Sequence, residues 1–450
     1  MQTSVRYRRA IACLAAVLGA SSLLALDPKA GLTTIHAFGS SEAYAPDGTL
    51  VSDANGALYG PTYYGGASGA GTIFQLIPPA TGTTWTENLL YSFTGGADGS
   101  TPWQALVVDA SGNVYGAALY GGNANPTCVN AACGVIFELS PPTASGGAWT
   151  ETVLYSFTGG ADGGNPNGHL VFDTKGNLYG TALAGGIVNG ACPGAPEGDI
   201  QSGCGVVFRL EPPKTTGGAW TEQVLYSFTG AADGASPGSG VTLDLHGNLF
   251  GTTALGGDTA GCPSAVSGAD AGCGVVYELS RSAGSVVESV LYAFTGGKDG
   301  AYPSEALLLN RKGVLYGTTP VDNITTSTQN GTVFELAPPS GGGAWAFTSI
   351  LNFSKKEGSQ PHCDLTENAA GTLYGTTFLG GKYNRGTLFT LKPPTTKGGA
   401  WKQTLAHSFT GSKDGSSPLG GVLPGKGGVL YGTTFTGKSS TAGTAFQMTL

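Results

Sequence analysis

The feature that most restricts the fold is a repeat. A tripeptide Leu/Val-Tyr/Phe-Gly recurs with its aromatic at Tyr59, Tyr115, Tyr179, Phe250, Tyr316, Tyr374 and Tyr431. From Tyr59 to Tyr431 the chain runs 372 residues in six intervals, a mean period of 62. Self-similarity at a fixed period signals a repeat architecture, each unit one supersecondary element. Downstream of every tripeptide lies Gly-x-x-Phe/Tyr-x-Leu/Met, from "GTIFQL" at Gly71 to "GTAFQM" at Gly443. Next comes a segment usually opened by Trp (Trp85, Trp149, Trp220, Trp345, Trp401) and closed by "LYSF" or a relative. Upstream, a proline opens an apolar stretch in every unit: Pro46, Pro102, Pro166, Pro237, Pro303, Pro361 and Pro418. Seven residues after it stand Asp53, Asp109, Asp173, Asp244, Asn310 or Asn368, and Gly425 in the last unit. Asp-x-x-Gly-Asn before an apolar residue is hairpin chemistry, because Asp bonds nearby amides and Gly supplies positive φ.

Each unit thus holds four short strands separated by turns rich in Gly and Pro, with no helical periodicity. That is the signature of a propeller blade, and seven units close one ring. The rival, an open β-solenoid, has a shorter period and needs no closure device. Closure decides between them. The chain ends at "GTAFQMTL", so the seventh unit lacks its fourth strand, and "TTIHAF" at Thr33 to Phe38 aligns with "LLYSF". The expectation is an all-β, seven-bladed β-propeller of four antiparallel strands per blade, latched by strand 33–38, which removes exposed sheet edges.

The string "LYGTT…GG…GTVFEL…LYSFTGGADG…P…GNLYG" resembles the GloVer tandem repeat of Gloeobacter and Verrucomicrobia, from Thr33 to Leu450. The resemblance implies an exported, propeller-like bacterial protein and carries no catalytic residue. Family members bear various C-terminal anchors. This chain stops at Leu450 with no apolar helix or sorting signal, which favours soluble release or periplasmic retention. The Asp-x-x-Gly-Asn-Leu-Tyr turn is also loosely similar to propellers of the virginiamycin B lyase type.

Export is read from the residues as well. Arg6, Arg8 and Arg9 precede the apolar run "AIACLAAVLGASSLLAL", too short for a comfortable membrane span. Residues 1–25 therefore read as a cleaved secretory signal rather than an uncleaved anchor, 26–32 as a linker and 33–450 as one propeller domain. Cys128 and Cys133, Cys192 and Cys204, and Cys262 and Cys273 form three local pairs, each second member directly before "GVIF", "GVVF" or "GVVY". Equivalent pairs in equivalent loops read as disulfides of an oxidising compartment. Zinc would want closer spacing and four ligands. Cys363 is left as a partly buried free thiol. Without the three arginines, 18 basic residues face 29 acidic ones, a formal charge of −11. Such a balance disfavours nucleic acid and anionic membranes. The expectations are a secreted monomer with no cofactor and no stable membrane insertion, binding a polar ligand, a glycan or another exported protein.

Loops joining second to third strands, and fourth strands to the next unit, share one face. It carries the cysteine-bearing insertions, so function is expected there. An acidic residue recurs on it at Glu42, Asp98, Asp162, Asp233, Asp299, Glu357 and Asp414, either as a ring of cation contacts or as caps of seven identical turns. No calcium-loop pattern is present. The recurrent Tyr and Phe, though suited to stacking on carbohydrate, read as core by their period, and the Gly of each tripeptide reads as a close-packing residue. More informative are the slots after the invariant Pro, where the units differ: Asp47, Trp103, Gln104, Asn167, His169, Glu305, His362 and Asp364. They form either a ligand mouth at the axis or drift on a solvated rim. In the first case Trp103 stacks on a sugar or aromatic group. His169 or His362 would then be a general base near Glu305 or Asp364, in a lyase or hydrolase. Nothing matches a known hydrolase or nucleotide motif.

Overall fold

The computed structural model describes residues 31–39, 43–123, 128, 132–144, 146–187, 203–215, 217–258, 262, 272–282, 284–322, 324, 329–396, 398–437 and 442–450. The expected signal segment 1–25 lies outside them. Seven antiparallel sheets succeed one another as the blades of a β-propeller. Blade 2 shows the plan. Val114–Tyr120 pairs with Val135–Ser140, which pairs with the outer strand Thr150–Ser156. The innermost strand is split. Ser100–Pro102 and Val107–Val108 both pair with Val114–Tyr120, while residues 103–106 between them leave the ladder. In blades 4 to 7 the upper piece shrinks to a single bridge, such as Ser359 to Leu379.

Proline explains the split, since it has no N–H to give a ladder. The residue before it adds to the effect. Ala45, Thr101, Asn165, Ser236, Tyr302, Gln360 and Ser417 all take φ between 54° and 59°, the left-handed region. At Thr101, Asn165, Ser236, Tyr302, Gln360 and Ser417 the N–H turns away from its own blade toward the preceding one: Thr101 donates to the Ala70 carbonyl at 2.7 Å and Asn165 to that of Cys133 at 2.7 Å.

The ring closes as the repeat requires. Gly31–Ala37 pairs antiparallel with Thr444–Thr449, from Gly31 opposite Thr449 to Ala37 opposite Thr444. It starts two residues before the expected Thr33, and Phe38 follows it, donating its N–H to the Gly443 carbonyl at 3.0 Å. The irregularity between Thr34 and His36 matches the one opposite Ile136 and Phe137 in blade 2, so the latch copies an internal outer strand in detail.

Two contacts repeat around the ring. The Phe that ends each outer strand packs against the Phe or Tyr of the third strand one blade on: Phe93 on Phe137, Phe157 on Phe208, Phe228 on Tyr277, with centroids 5.1 Å apart. Phe38 on Phe74, at 4.7 Å, completes the series across the closure. The tripeptide Gly admits that ring: a Cβ on Gly180 would lie 2.7 Å from Phe208 Cζ. The second contact joins the Gly that opens each third strand to the proline of the next blade. A Cβ on Gly205 would sit 2.4 Å from Pro237 Cδ, and one on Gly443 2.3 Å from Pro46 Cδ. Burying such side chains supplies about 1.5–3 kcal/mol each, so the blade interfaces hold the ring together.

Candidate functional site

The recurrent carboxylates are structural. Asp98 accepts from Thr94 N–H at 2.7 Å, Thr94 Oγ1 at 2.5 Å and Tyr91 hydroxyl at 3.1 Å. Asp162, Asp233 and Asp299 repeat this set. Asp414 does so with His407 in place of Tyr, and Glu357 accepts from Ser354 Oγ at 2.6 Å. Glu42 lies outside the described residues. On the opposite face Asp53, Asp109, Asp173 and Asp244 each cap a hairpin through two backbone N–H groups, as Asn310 and Asn368 do.

The residues after the invariant proline behave differently. They are not a solvated rim. Asp47, Gln104, Asn167, His169, Glu305 and Asp364 are at most 4% exposed, and Trp103 is 7% exposed. The reason is convergence: released from their ladders, the inner segments pack against one another. Gly168 lies so close to blade 4 that a Cβ there would be 2.3 Å from Gly240 N, and a Cβ on Gly420 would meet the Gly48 carbonyl at 2.3 Å. His169 bridges to Gly240 as a parallel pair. Side chains then link blades. Gln104 Nε2 donates to Asn167 Oδ1 at 3.2 Å, and Thr49 of blade 1 donates to Asp364 of blade 6 at 3.4 Å across the glycines of blade 7. Asp47 accepts the N–H of Gly48 at 2.8 Å. A set the sequence reading passed over braces the same level. The Thr after the tripeptide Gly bonds the next blade's inner carbonyl: Thr252 to Glu305, Thr318 to Cys363, Thr376 to Gly420. Its signal was the repeated "GTT".

Burial sets the protonation states. The His169 imidazole is pushed down to about 3 by burial, against a smaller opposite pull from the Val241 backbone, so it stays neutral and makes a poor general base at neutral pH. Burial raises Asp364 well above the carboxylate range despite the backbone bond from Ala306. Cys363 is free and fully buried, deeper than expected. Burial pushes its thiol up to about 12 while Thr376 N–H donates to its sulfur at 3.2 Å. A thiol so held is not a nucleophile.

One acid–base pair comes together. His362 Nδ1 lies 3.4 Å from Glu305 Oε1, whose carboxylate also accepts from Ser304 Oγ at 3.2 Å. The His362 side chain is 14% exposed, more than any other candidate after the prolines. Its ring stands edge-on to Phe378, centroids 6.0 Å apart. Phe378 belongs to an apolar group with Ala45, Leu419, Phe435, Tyr44 and Tyr63, and Tyr63 also meets Trp103 edge-on at 5.2 Å. Tyr63, Phe378 and Phe435 hold the same slot, three residues after the tripeptide Gly, where blades 2 and 3 have Leu119 and Leu183. Apolar side chains of blades 6, 7, 1, 2 and 3 therefore form a partial collar at the axial end of the insertion face, beside the His362–Glu305 pair. The slot was visible as a position where units differ but was not singled out.

The cysteine pairs bear out their expectation where they are described: Cys128–Cys133 and Cys262–Cys273 are disulfides with Cα atoms 5.2 and 5.6 Å apart. Cys204 is disulfide-bonded, and Cys192 lies outside the described residues. Among the described residues no cluster of three or more His, Cys, Asp or Glu is arranged to hold a metal, and no helix is long and apolar enough to cross a membrane.

Solved structures resemble the chain at low identity. A Bacteroides uniformis protein assigned as a 6-phosphogluconolactonase is 15% identical over 79% of this chain and 83% of its own, with a TM-score of 0.47. A Xanthomonas campestris gluconolactonase is 13% identical over 76% and 85%, with a TM-score of 0.38. A calcium structure of the Trichoderma reesei carbohydrate-active enzyme of family AA12 is 12% identical over 95% and 100%, with a TM-score of 0.43. No curated protein matches the chain in sequence. Residues 19–192 and 189–446 match the Gloeobacter/Verrucomicrobia repeat, and the chain belongs to that family.

Proposed function

We propose that this protein is an exported binding module whose ligand, a glycan or small polar molecule, rests on the axial end of the insertion face. The observation that carries the reading is the partly exposed His362, its Nδ1 3.4 Å from Glu305 Oε1 and its ring beside the apolar collar. A ligand with one apolar face and several hydroxyls suits such a place: the collar covers the face, and His362 donates or accepts a hydrogen bond. The disulfides are compatible with an oxidising compartment. The other axial residues are buried, and among them Gln104 with Asn167 and Thr49 with Asp364 join inner segments of different blades.

A glycan array with thermal-shift measurements tests the reading. Binding should weaken in His362→Ala and Phe378→Ala and persist in Asp98→Asn. A ligand that binds all three variants equally sinks it.

The same pair favours a second reading, a hydrolase or lyase in which His362 is the general base and Glu305 orients it. Turnover of a bound glycan, lost in His362→Ala and in Glu305→Gln while His362→Ala still binds, would select it over simple binding.

A further inference from the structure

The overall charge of −11 hides an uneven ring. Residues 31–352 carry 24 acidic and 7 basic side chains, a formal −17, whereas residues 353–450 carry 4 acidic and 10 basic, a formal +6. Of those four acids, Asp364 is buried and Asp414 is occupied by its turn. Five of the ten cations stand on three loops of the insertion face. Lys355 and Lys356 follow the outer strand of blade 5, Lys382 and Arg385 join the second and third strands of blade 6, and Lys413 follows its outer strand. All five are exposed, and none forms an ion pair with a described residue.

The three loops make one platform. Gly381 N–H donates to the Lys355 carbonyl at 2.8 Å, and Ser417 N–H to that of Arg385 at 2.8 Å. The Arg385 side chain lies along the Lys413 loop, its Nε 3.3 Å from where a Gly411 Cβ would be. Between Lys382 and Arg385 stands Tyr383, 47% exposed, its ring centroid 5.0 Å from Lys382 Nζ. None of this chemistry is needed to form the turns. The loop "GGKYNRG" of blade 6 has the same length as "GGASGAG" of blade 1, where Ala67 and Ala70 replace Lys382 and Arg385. The Lys413 slot is alanine in the first three units, at Ala97, Ala161 and Ala232.

We propose that this sector is a second binding surface, for a polyanionic polysaccharide bearing carboxylate or sulfate groups. The inference is independent of the axial reading. Single exposed ion pairs are weak, so a surface of scattered, unpaired cations favours a ligand that repeats its charge and engages several at once. The exposed Tyr383 face suits a sugar ring better than a bare ion. The acidic remainder of the molecule repels the same ligand and confines it to blades 5 to 7.

Affinity electrophoresis of the purified protein through polygalacturonate, dextran sulfate or neutral dextran tests this. Retardation by one or both polyanions and not by neutral dextran is expected, the two arms separating carboxylate from sulfate. It should fall steeply with salt, as screening requires. Lys382→Glu with Arg385→Glu should weaken binding about tenfold or more, since two attractions become repulsions. Tyr383→Ala should weaken it severalfold without changing the salt dependence. The matched control, Lys175→Glu with Arg311→Glu on the hairpin face opposite the three loops, should leave it nearly unchanged. The proposal is overturned if neither polyanion retards the protein, or if the control pair costs as much as the sector pair. It is also overturned if sedimentation shows the sector engaged by the acidic blades of a second copy, or if anionic vesicles bind where polysaccharides do not.

Discussion

Replacing Gly205 by Ala adds one methyl group at a blade joint, and the structure fixes its consequences in two parts. Gly205 holds φ +86°, a region in which an L-residue costs about 1–2 kcal/mol. The new Cβ would also stand 2.4 Å from Pro237 Cδ, 2.6 Å from the Ala182 carbonyl and 2.9 Å from that of Leu183. Overpacking of this kind costs about 1–3 kcal/mol, and two of the three neighbours are backbone that cannot rotate aside. The sum is about 2–5 kcal/mol. With about 2.1 cal/mol/K of unfolding entropy per residue over a ring of roughly 420 residues, the melting temperature should drop by about 2–6 °C. Gly217 separates the two parts, for it holds φ +77° with nothing within 4 Å of its would-be Cβ. Gly217→Ala should therefore cost only about 1 kcal/mol. Urea unfolding followed by tryptophan fluorescence, with calorimetry, measures both. Equal losses in the two variants would refute the idea that the Gly–Pro joint is a contact rather than a turn requirement.

Phe38→Ala should destabilise as much as Phe157→Ala, about 3–5 kcal/mol, because the closing interface copies the internal ones; a loss under about 1 kcal/mol at Phe38 alone would mean the latch is open in solution. Glu151, Glu222 and Glu288 are each raised to about 7, chiefly by burial and then by Asp98, Asp162 and Asp233 respectively. Their folded values exceed the ordinary one, so folding takes up protons. The stability they contribute is complete below about pH 4.5 and lost as pH rises through about 7. Urea midpoints should decline across that window, and the triple Glu→Gln variant should flatten the decline. Opening the six-residue ring of Cys128–Cys133 by double serine substitution should cost about 2 kcal/mol, and the twelve-residue ring of Cys262–Cys273 about 3 kcal/mol, by the loop-entropy relation. Non-reduced peptide mapping should recover both links.

Much of this was written locally and was therefore readable. The hairpin caps depend on Asp109 and an amide two residues on, and the disulfide of Cys128 spans five residues. The closure was readable because a missing strand and a spare one share a pattern. Contacts between blades were not. Phe93 meets Phe137, 44 residues further on, and no one-dimensional pattern says which of many aromatics is its neighbour. The candidate residues after the prolines were legible as differences but not as to environment. Asp364 and His169 could be read from the sequence either as part of a ligand mouth or as residues of a solvated rim, because polar residues suit both. Only the convergence of the glycine-rich inner segments, with Gly48, Gly168, Gly240 and Gly420 permitting close approach, buries them. The apolar collar is hidden for a related reason: Tyr63, Phe378 and Phe435 share a slot with Leu119 and Leu183, and nothing in one dimension says that this slot gathers at one place.

The pairing of Gly31 with Thr449 joins residues 418 positions apart. A chain made from its first residue holds strand Gly31–Ala37 in waiting while every other blade finds its partners nearby. Until the last strand arrives, two sheet edges stand open at once, with their N–H and C=O groups available to any extended chain. Contacts this distant in sequence slow folding. The vulnerable species is thus a horseshoe of six finished blades, and the time it persists, more than the stability of the closed ring, governs the yield of soluble protein.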